Sequence, residues 1–176
     1  MARLTGITAT TPNRLLFGAG ALSVGATSVG ATTGESSFSV ERDYYFPQLN
    51  GAAGKVASTG WIVQERAWLK VTVSEFTMRN IANSLPGLNW SSTASSEATV
   101  ASSVGCIASS EYKSVVWTGQ DCDGDNVTIT LSNALMTENL EVTFSDEKEA
   151  SFGLTFEATY GTDDPDARPW SLVIEL

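Results

Sequence analysis

Residues 152–160 read FGLTFEATY, and their pattern decides the fold. Phe152, Leu154, Phe156, Ala158 and Tyr160 alternate with Thr155, Glu157 and Thr159, a strict period of two. Successive side chains of a strand point to opposite faces, so this segment is predicted to be a strand with one buried face. The same alternation recurs elsewhere. Residues 61–76 set Ala67, Leu69, Val71 and Val73 against Arg66, Lys70, Thr72 and Ser74. Residues 127–133 set Val127, Ile129 and Leu131 against Thr128, Thr130 and Ser132, and residues 37–46 and 140–145 follow suit. An antiparallel sheet protein follows.

Turn chemistry supports it. Gly124-Asp125-Asn126 separates Val115-Val116-Trp117 from the strand at Val127, as a hairpin tip would. Ser145 to Glu149 is a charged tip, and the near-duplicates Ser23–Thr27 and Ser28–Thr32 read as two short strands about a glycine turn. One helix is predicted over residues 77–85, with Thr77 as N-cap, Met78, Ile81, Ala82 and Leu85 as its apolar face, and Pro86-Gly87 as its stop. Residues 47–60 form a loop longer than a hairpin requires, and the Ser/Ala-rich residues 91–110 read as a flexible loop or a surface for close backbone packing.

The 176 residues suit one domain, taken as 1–176 with an N-terminal arm (1–13) and a C-terminal segment (162–176). No run of about 20 apolar residues is present, and Leu15 to Val24 makes a poor signal peptide because Gly18 and Gly20 cut it. Ten basic against 20 acidic residues give a net charge of −10, which disfavours wrapping nucleic acid but suits a surface that phosphates slide past. The chain has no histidine, so Ser-His-Asp and Cys-His triads and His-ligated zinc are excluded, and an enzyme is not expected. Cys106 and Cys122 are too few for a disulfide framework and are expected to be reduced.

The remaining motifs fail as sites. Asp121, Asp123 and Asp125 alternate like a calcium loop, but the glycine stands at the fourth position rather than the sixth and the twelfth residue is Ser132. Gly18-Ala19-Gly20 lacks the third glycine and the βαβ pattern of a dinucleotide site. No cofactor and no metal are expected. Tyr44, Tyr45 and Phe46 are more telling: three consecutive aromatics cannot all face one core, so at least one points outward as a contact surface. For Trp68 and Phe38 ordinary core packing is the expectation.

The order of these features resembles the tail tube (major tail) proteins of siphophages along nearly the whole chain, residues 91–110 excepted. The resemblance rests on Gly18 to Val24, Val29-Gly30-Ala31-Thr32, Val40-Glu41-Arg42-Asp43 and Glu65-Arg66-Ala67. It continues through the 77–85 helix, Asp123 to Asn126, Ser132-Asn133-Ala134-Leu135, Phe156 to Tyr160 and Arg168-Pro169-Trp170. It implies an all-β sandwich or half-barrel with one flanking helix, whose inner sheet joins into a ring-shaped barrel. Hexameric rings would stack into the virion tail tube, conducting double-stranded DNA without specific binding. It further implies assembly in the host bacterial cytoplasm, with the tape measure, tail tip and tail terminator proteins as partners and no membrane anchor. Inter-subunit contacts would fall on Tyr44, Tyr45, Phe46, Pro47, Leu49, Asn50, Gly51, Lys55 and Trp61, with the terminal arms helping. Ser39, Glu41, Glu141, Thr143, Thr155, Glu157 and Thr159 are the candidates to line the lumen, where carboxylates repel phosphates and hydroxyls hold water. Two other readings fit the same residues: a carbohydrate-binding or adhesin β-sandwich, and a head–tail joining or decoration protein.

Overall fold

The computed structural model describes residues 16–94, 97–102, 104–121, 124–145 and 148–175. Its elements are β1 (Leu16–Val24), β2 (Thr27–Ser28), β3 (Thr32–Tyr45), β4 (Trp61–Val73), α1 (Met78–Ser84), β5 (Leu88–Ala94), β6 (Glu97–Ser102), β7 (Lys113–Asp121), β8 (Asn126–Met136), β9 (Val142–Ser145), β10 (Lys148–Ala158) and β11 (Trp170–Ile174). Nine strands form one sheet in the order β2-β1-β7-β8-β10-β4-β3, with β11 added to β8 and β9 to β10; β5 and β6 form a separate ribbon. The fold is all-β with one flanking helix, as the alternation predicts.

The period-two residues become the core. Register sets Phe156 of β10 opposite Leu69 of β4 on one side and Met136 of β8 on the other. Leu69, Val71, Val73, Leu154 and Phe156 are all at most 2% exposed. Each such side chain contributes about 1.5–3 kcal/mol relative to leaving it in water. The sheet curls as it is laid down: the Thr32 hydroxyl of β3 donates to the Gly20 carbonyl of β1 at 3.3 Å, bringing its two flanks together. The turn after β1 needs Gly25, whose φ is +62°.

β8 contains the point on which the layout turns. Leu131 and Ala134 are both buried, with Ser132 and Asn133 between them, so the alternation slips by one residue. The β7 ladder shifts register at the same place, between Lys113 and Val115. Such a bulge bends the strand. On its other edge β8 pairs with β11 up to Leu131 and with β10 from Ala134 onward. The segment joining β10 to β11 brackets the bulge: the Thr159 amide donates to Asn133 O at 2.8 Å and the Ser132 amide to Pro169 O at 2.8 Å.

Several sequence expectations are corrected. Residues 91–110 contain the end of β5, β6 and a 3-10 turn at Ser109–Glu111 instead of a continuous loop. A ribbon set apart from the main sheet gives no period-two signal. β11 lies inside what reads as an undifferentiated C-terminal segment. β1 is a long strand, and only its partner β2 is short. Trp68 is not core: it shares the outer face with Ser39 and Glu157, its register partners. The helix caps as expected, the Asn80 amide donating to Thr77 Oγ1 at 3.2 Å, but it buries Asn80, Ala82 and Ser84. Met78, Ile81 and Leu85 are half-buried. Asn80 is drawn in because its side-chain amide donates to the carbonyls of Val29, at 2.8 Å, and Glu75, at 2.9 Å, tying the helix to the curl of the sheet.

Trp117 of β7 is 5% exposed, and its ring lies across Gly20 of the neighbouring strand. A Cβ at Gly20 would stand 2.2 Å from Trp117 Cε2. Gly20→Ala is therefore expected to destabilise the protein by about 1–3 kcal/mol through overpacking, with a matching change in tryptophan emission on urea denaturation.

Candidate assembly surfaces

The site begins with a buried carboxylate. Glu65 of β4 is 6% exposed, its strand position facing inward with Ala67 and Leu69. Arg42, its register partner on β3, donates from Nε to Glu65 Oε2. Trp170, the first residue of β11, donates from Nε1 to Oε1 at 2.8 Å. The Tyr160 hydroxyl donates to the Glu65 carbonyl at 3.1 Å. Phe38 packs on the Trp170 ring at 5.4 Å between centroids. Burial alone would raise the Glu65 pKa, but the hydrogen bonds from Arg42 and Trp170 and the charges of Arg42 and Arg168 outweigh it. The carboxyl is held below its ordinary value.

Above this cluster β3 and β4 continue as a two-stranded ribbon. β10 pairs with β4 from Trp68 to Val73, so residues 61–67 have β3 as their strand partner. At the end of the ribbon Tyr44 lies opposite Ile62 and Tyr45 opposite Trp61, just past a register shift at Asp43/Tyr44. Tyr44 and Tyr45 are each 58% exposed and Trp61 71%. The 47–60 loop closes around a hollow of about 630 Å³ lined by Tyr44, Tyr45, Phe46, Pro47, Leu49, Asn50 and Lys55. Lys55 Nζ sits 4.7 Å from the Phe46 ring centre, which holds that aromatic half-buried while both tyrosines stay outward. Gly51 sits exposed at the turn within the loop. The structure thus brings all nine contact candidates to one tip.

The lumen candidates divide. Ser39 and Glu41 of β3 and Thr155 and Glu157 of β10 lie on the same outer face, flanking Trp68, Arg66 and Lys70 of β4. Ser39 and Glu41 are exposed. Thr155 is 5% exposed, and its hydroxyl donates to Glu138 at 2.6 Å, beneath the Lys70–Glu138 ion pair at 3.6 Å. Its hydroxyl is therefore not a free water-holding group. Thr159 spends its hydroxyl on Asn133 O at 2.5 Å. Glu141 is exposed just ahead of β9. Thr143 is in β9, and its side chain lies outside what the structure describes. Cys106 is an exposed free thiol, and Cys122 falls outside the described residues.

A surface on β11 went unread in the sequence. Leu172, Val173 and Ile174 are 47%, 53% and 55% exposed on a strand paired with β8. The available signal was the run WSLVI itself, apolar on both faces and therefore without alternation.

No family model matches the sequence, and no curated protein matches it. Among solved structures, the chain is similar to the anti-feeding prophage cap, described as a tube terminating cap. The superposition has a TM-score of 0.52 at 13% identity and covers 99% of this chain and 95% of the cap. The fold is accordingly an all-β half-barrel of the phage tail type.

Because Glu65 is held below its ordinary pKa, its contribution to stability is present above the unfolded value of about 4.3 and is lost as pH falls through the lower folded value. The stability gap between the native protein and Glu65→Gln is expected to be widest near neutrality and to narrow as pH falls below the unfolded value and through the lower folded one, read in urea titrations. Trp170→Phe, which keeps the ring and loses the donor, is expected to cost about 1.5–3 kcal/mol at neutral pH.

Proposed function

We propose that this chain is a structural subunit of a phage tail tube. Copies would associate in hexameric rings that stack into a conduit for DNA, as in siphophages, with the tape measure, tail tip and terminator proteins as neighbours in the virion. The observation that carries this reading is the projecting β3–β4 ribbon: it presents Tyr44, Tyr45 and Trp61 to solvent on a fold shared end to end with a tube terminating cap. Exposed aromatics clustered on a rigid ribbon are the usual anchors of a protein–protein contact. The outer face of Ser39, Glu41 and Glu157 supplies hydroxyls and carboxylates suited to a wet channel that phosphates traverse without sticking. The work is physical, and no covalent step is required of any residue.

The similarity to a cap favours a second reading, a terminator that closes a tube with one ring. Negative-stain electron microscopy of the purified protein over a range of concentrations separates the two. Hollow tubes or stacked rings support the tube subunit, whereas rings that never stack support the terminator. Particles that stay monomeric even with a tail-tip seed would overturn both. The paired substitution Tyr44→Ser with Trp61→Ser is expected to leave the circular dichroism spectrum and melting curve unchanged and to abolish the assembled particles.

A further inference from the structure

The one Asn-Gly step in the sequence, Asn50-Gly51, stands in the 47–60 loop. An asparagine is chemically labile where the next backbone nitrogen can reach its side-chain carbonyl, and a following side chain obstructs that approach. Every other asparagine precedes a residue that carries a side chain. Several are also held in place. The Asn80 side-chain amide donates to the Val29 and Glu75 carbonyls, the Asn83 oxygen accepts from Lys113 at 3.1 Å, and Asn126 Nδ2 donates to Glu175 at 2.8 Å. Asn50 has no such restraint. It and Gly51 are exposed at the centre of a turn that the Ala52 amide closes by donating to Leu49 O at 3.1 Å. Gly51 takes a φ of +87°, the conformation of the third residue in a type II turn. Among the described residues neither its amide nor the Asn50 side chain has a hydrogen-bond partner. A Cβ built on Gly51 would meet nothing within 4 Å, so a ring has room to close there.

We propose that Asn50 is a site of spontaneous deamidation and that its conversion withdraws the free subunit from assembly. The Gly51 nitrogen gives up its proton to solvent and attacks Asn50 Cγ. The new C–N bond closes a succinimide as the Cγ–Nδ2 bond breaks and ammonia leaves. Water then adds to either carbonyl of the ring, giving aspartate or isoaspartate. One water is consumed and one ammonia released, with no change of oxidation state. Each product places a carboxylate on the loop of a chain whose net charge is already −10. The isoaspartyl product also inserts a methylene into the backbone of the turn that Leu49 and Ala52 close. The consequence for assembly rests on the reading of this tip as a contact surface. A carboxylate drawn into such a contact loses its hydration without gaining a partner. In an assembled particle the loop is covered and the turn held, which opposes ring closure.

Ageing the purified full chain tests the proposal. Protein is held at neutral and at mildly alkaline pH, acidic species are separated by anion exchange, and mass spectrometry of peptides locates the change. The expected result is the mass gain of an amide-to-acid exchange on the peptide containing Asn50, as an aspartate–isoaspartate pair. It should form faster at alkaline pH, because the attacking nitrogen must lose its proton, and be absent from Asn50→Gln. Circular dichroism confirms that the variants fold. The converted fraction, and Asn50→Asp, are expected to need about tenfold more protein before particles appear by electron microscopy. Conversion is expected to be largely lost in particles already assembled. No conversion, or conversion mapped to another asparagine, overturns the site. Conversion at Asn50 with assembly unchanged overturns the consequence and leaves self-assembly standing. Fresh, unconverted protein that forms no particles even with a tail-tip seed overturns self-assembly and the consequence together, while the peptide map decides the site by itself.

Discussion

The half-barrel depends on a carboxylate where an aliphatic side chain would be expected. Glu65 occupies an inward position of β4, between the core residue Ala67 and the exposed tip of the ribbon. An ionised group there costs several kcal/mol unless it is paired and hydrogen-bonded. The donors that satisfy it come from Arg42 on β3 and Trp170 on β11, while Tyr160 takes up the carbonyl of the same residue. These partners are brought together from three parts of the chain, so the cluster forms when the sheet has curled and β11 has docked. Below it β4 is paired on both edges; above it the ribbon is free to project. An aliphatic residue at this position would fill the space but leave the Trp170 indole without its acceptor and β11 held to β8 alone.

The two faces of the sheet do different work. The inner face is a continuous aliphatic and aromatic core in which Leu69, Val71, Leu154 and Leu131 are nearly inaccessible to solvent. The outer face interleaves acids and bases, with Arg66 near Asp43 at 3.4 Å and Lys70 near Glu138 at 3.6 Å. Exposed pairs of this kind contribute about 0–1 kcal/mol each. Stability therefore resides inside, and substitutions on the outer face cost the fold little.

The same asymmetry explains what could be read from sequence. β4, β8 and β10 were legible because each buries one face, which forces a period of two. The bulge in β8 was not, since Ser132-Asn133 reads as a simple lapse in the pattern. β11 escaped because its exposed Leu172, Val173 and Ile174 are apolar on both faces. The helix was found from its cap and stop, yet its inward side was misassigned: hydrogen-bond demand at Val29 and Glu75, invisible in a helical wheel, draws in Asn80. Among the contact residues, Tyr44-Tyr45-Phe46 declared itself by the impossibility of burying three neighbours at once. The Glu65 cluster could not declare itself, because its partners lie 23 and 105 residues away. Arg42, Tyr160, Arg168 and Trp170, scattered along the chain, come together in space around this single carboxylate.

A free strand edge bordered by apolar side chains is a hazard for a lone subunit, because it templates indiscriminate pairing. Among the described residues such edges lie on β3, on the outer half of β4 and on β11. Two features restrain them. A net charge of −10 opposes random approach, and the twist of a two-stranded ribbon presents its edge in one orientation. Neither closes the edge. Closure requires a surface that matches in register and side-chain chemistry, and a set of identical copies, as proposed above, would supply one without any additional component. The fold leaves these edges open at one pole, while the opposite flank is tied shut through Asn80 and the curl at Thr32.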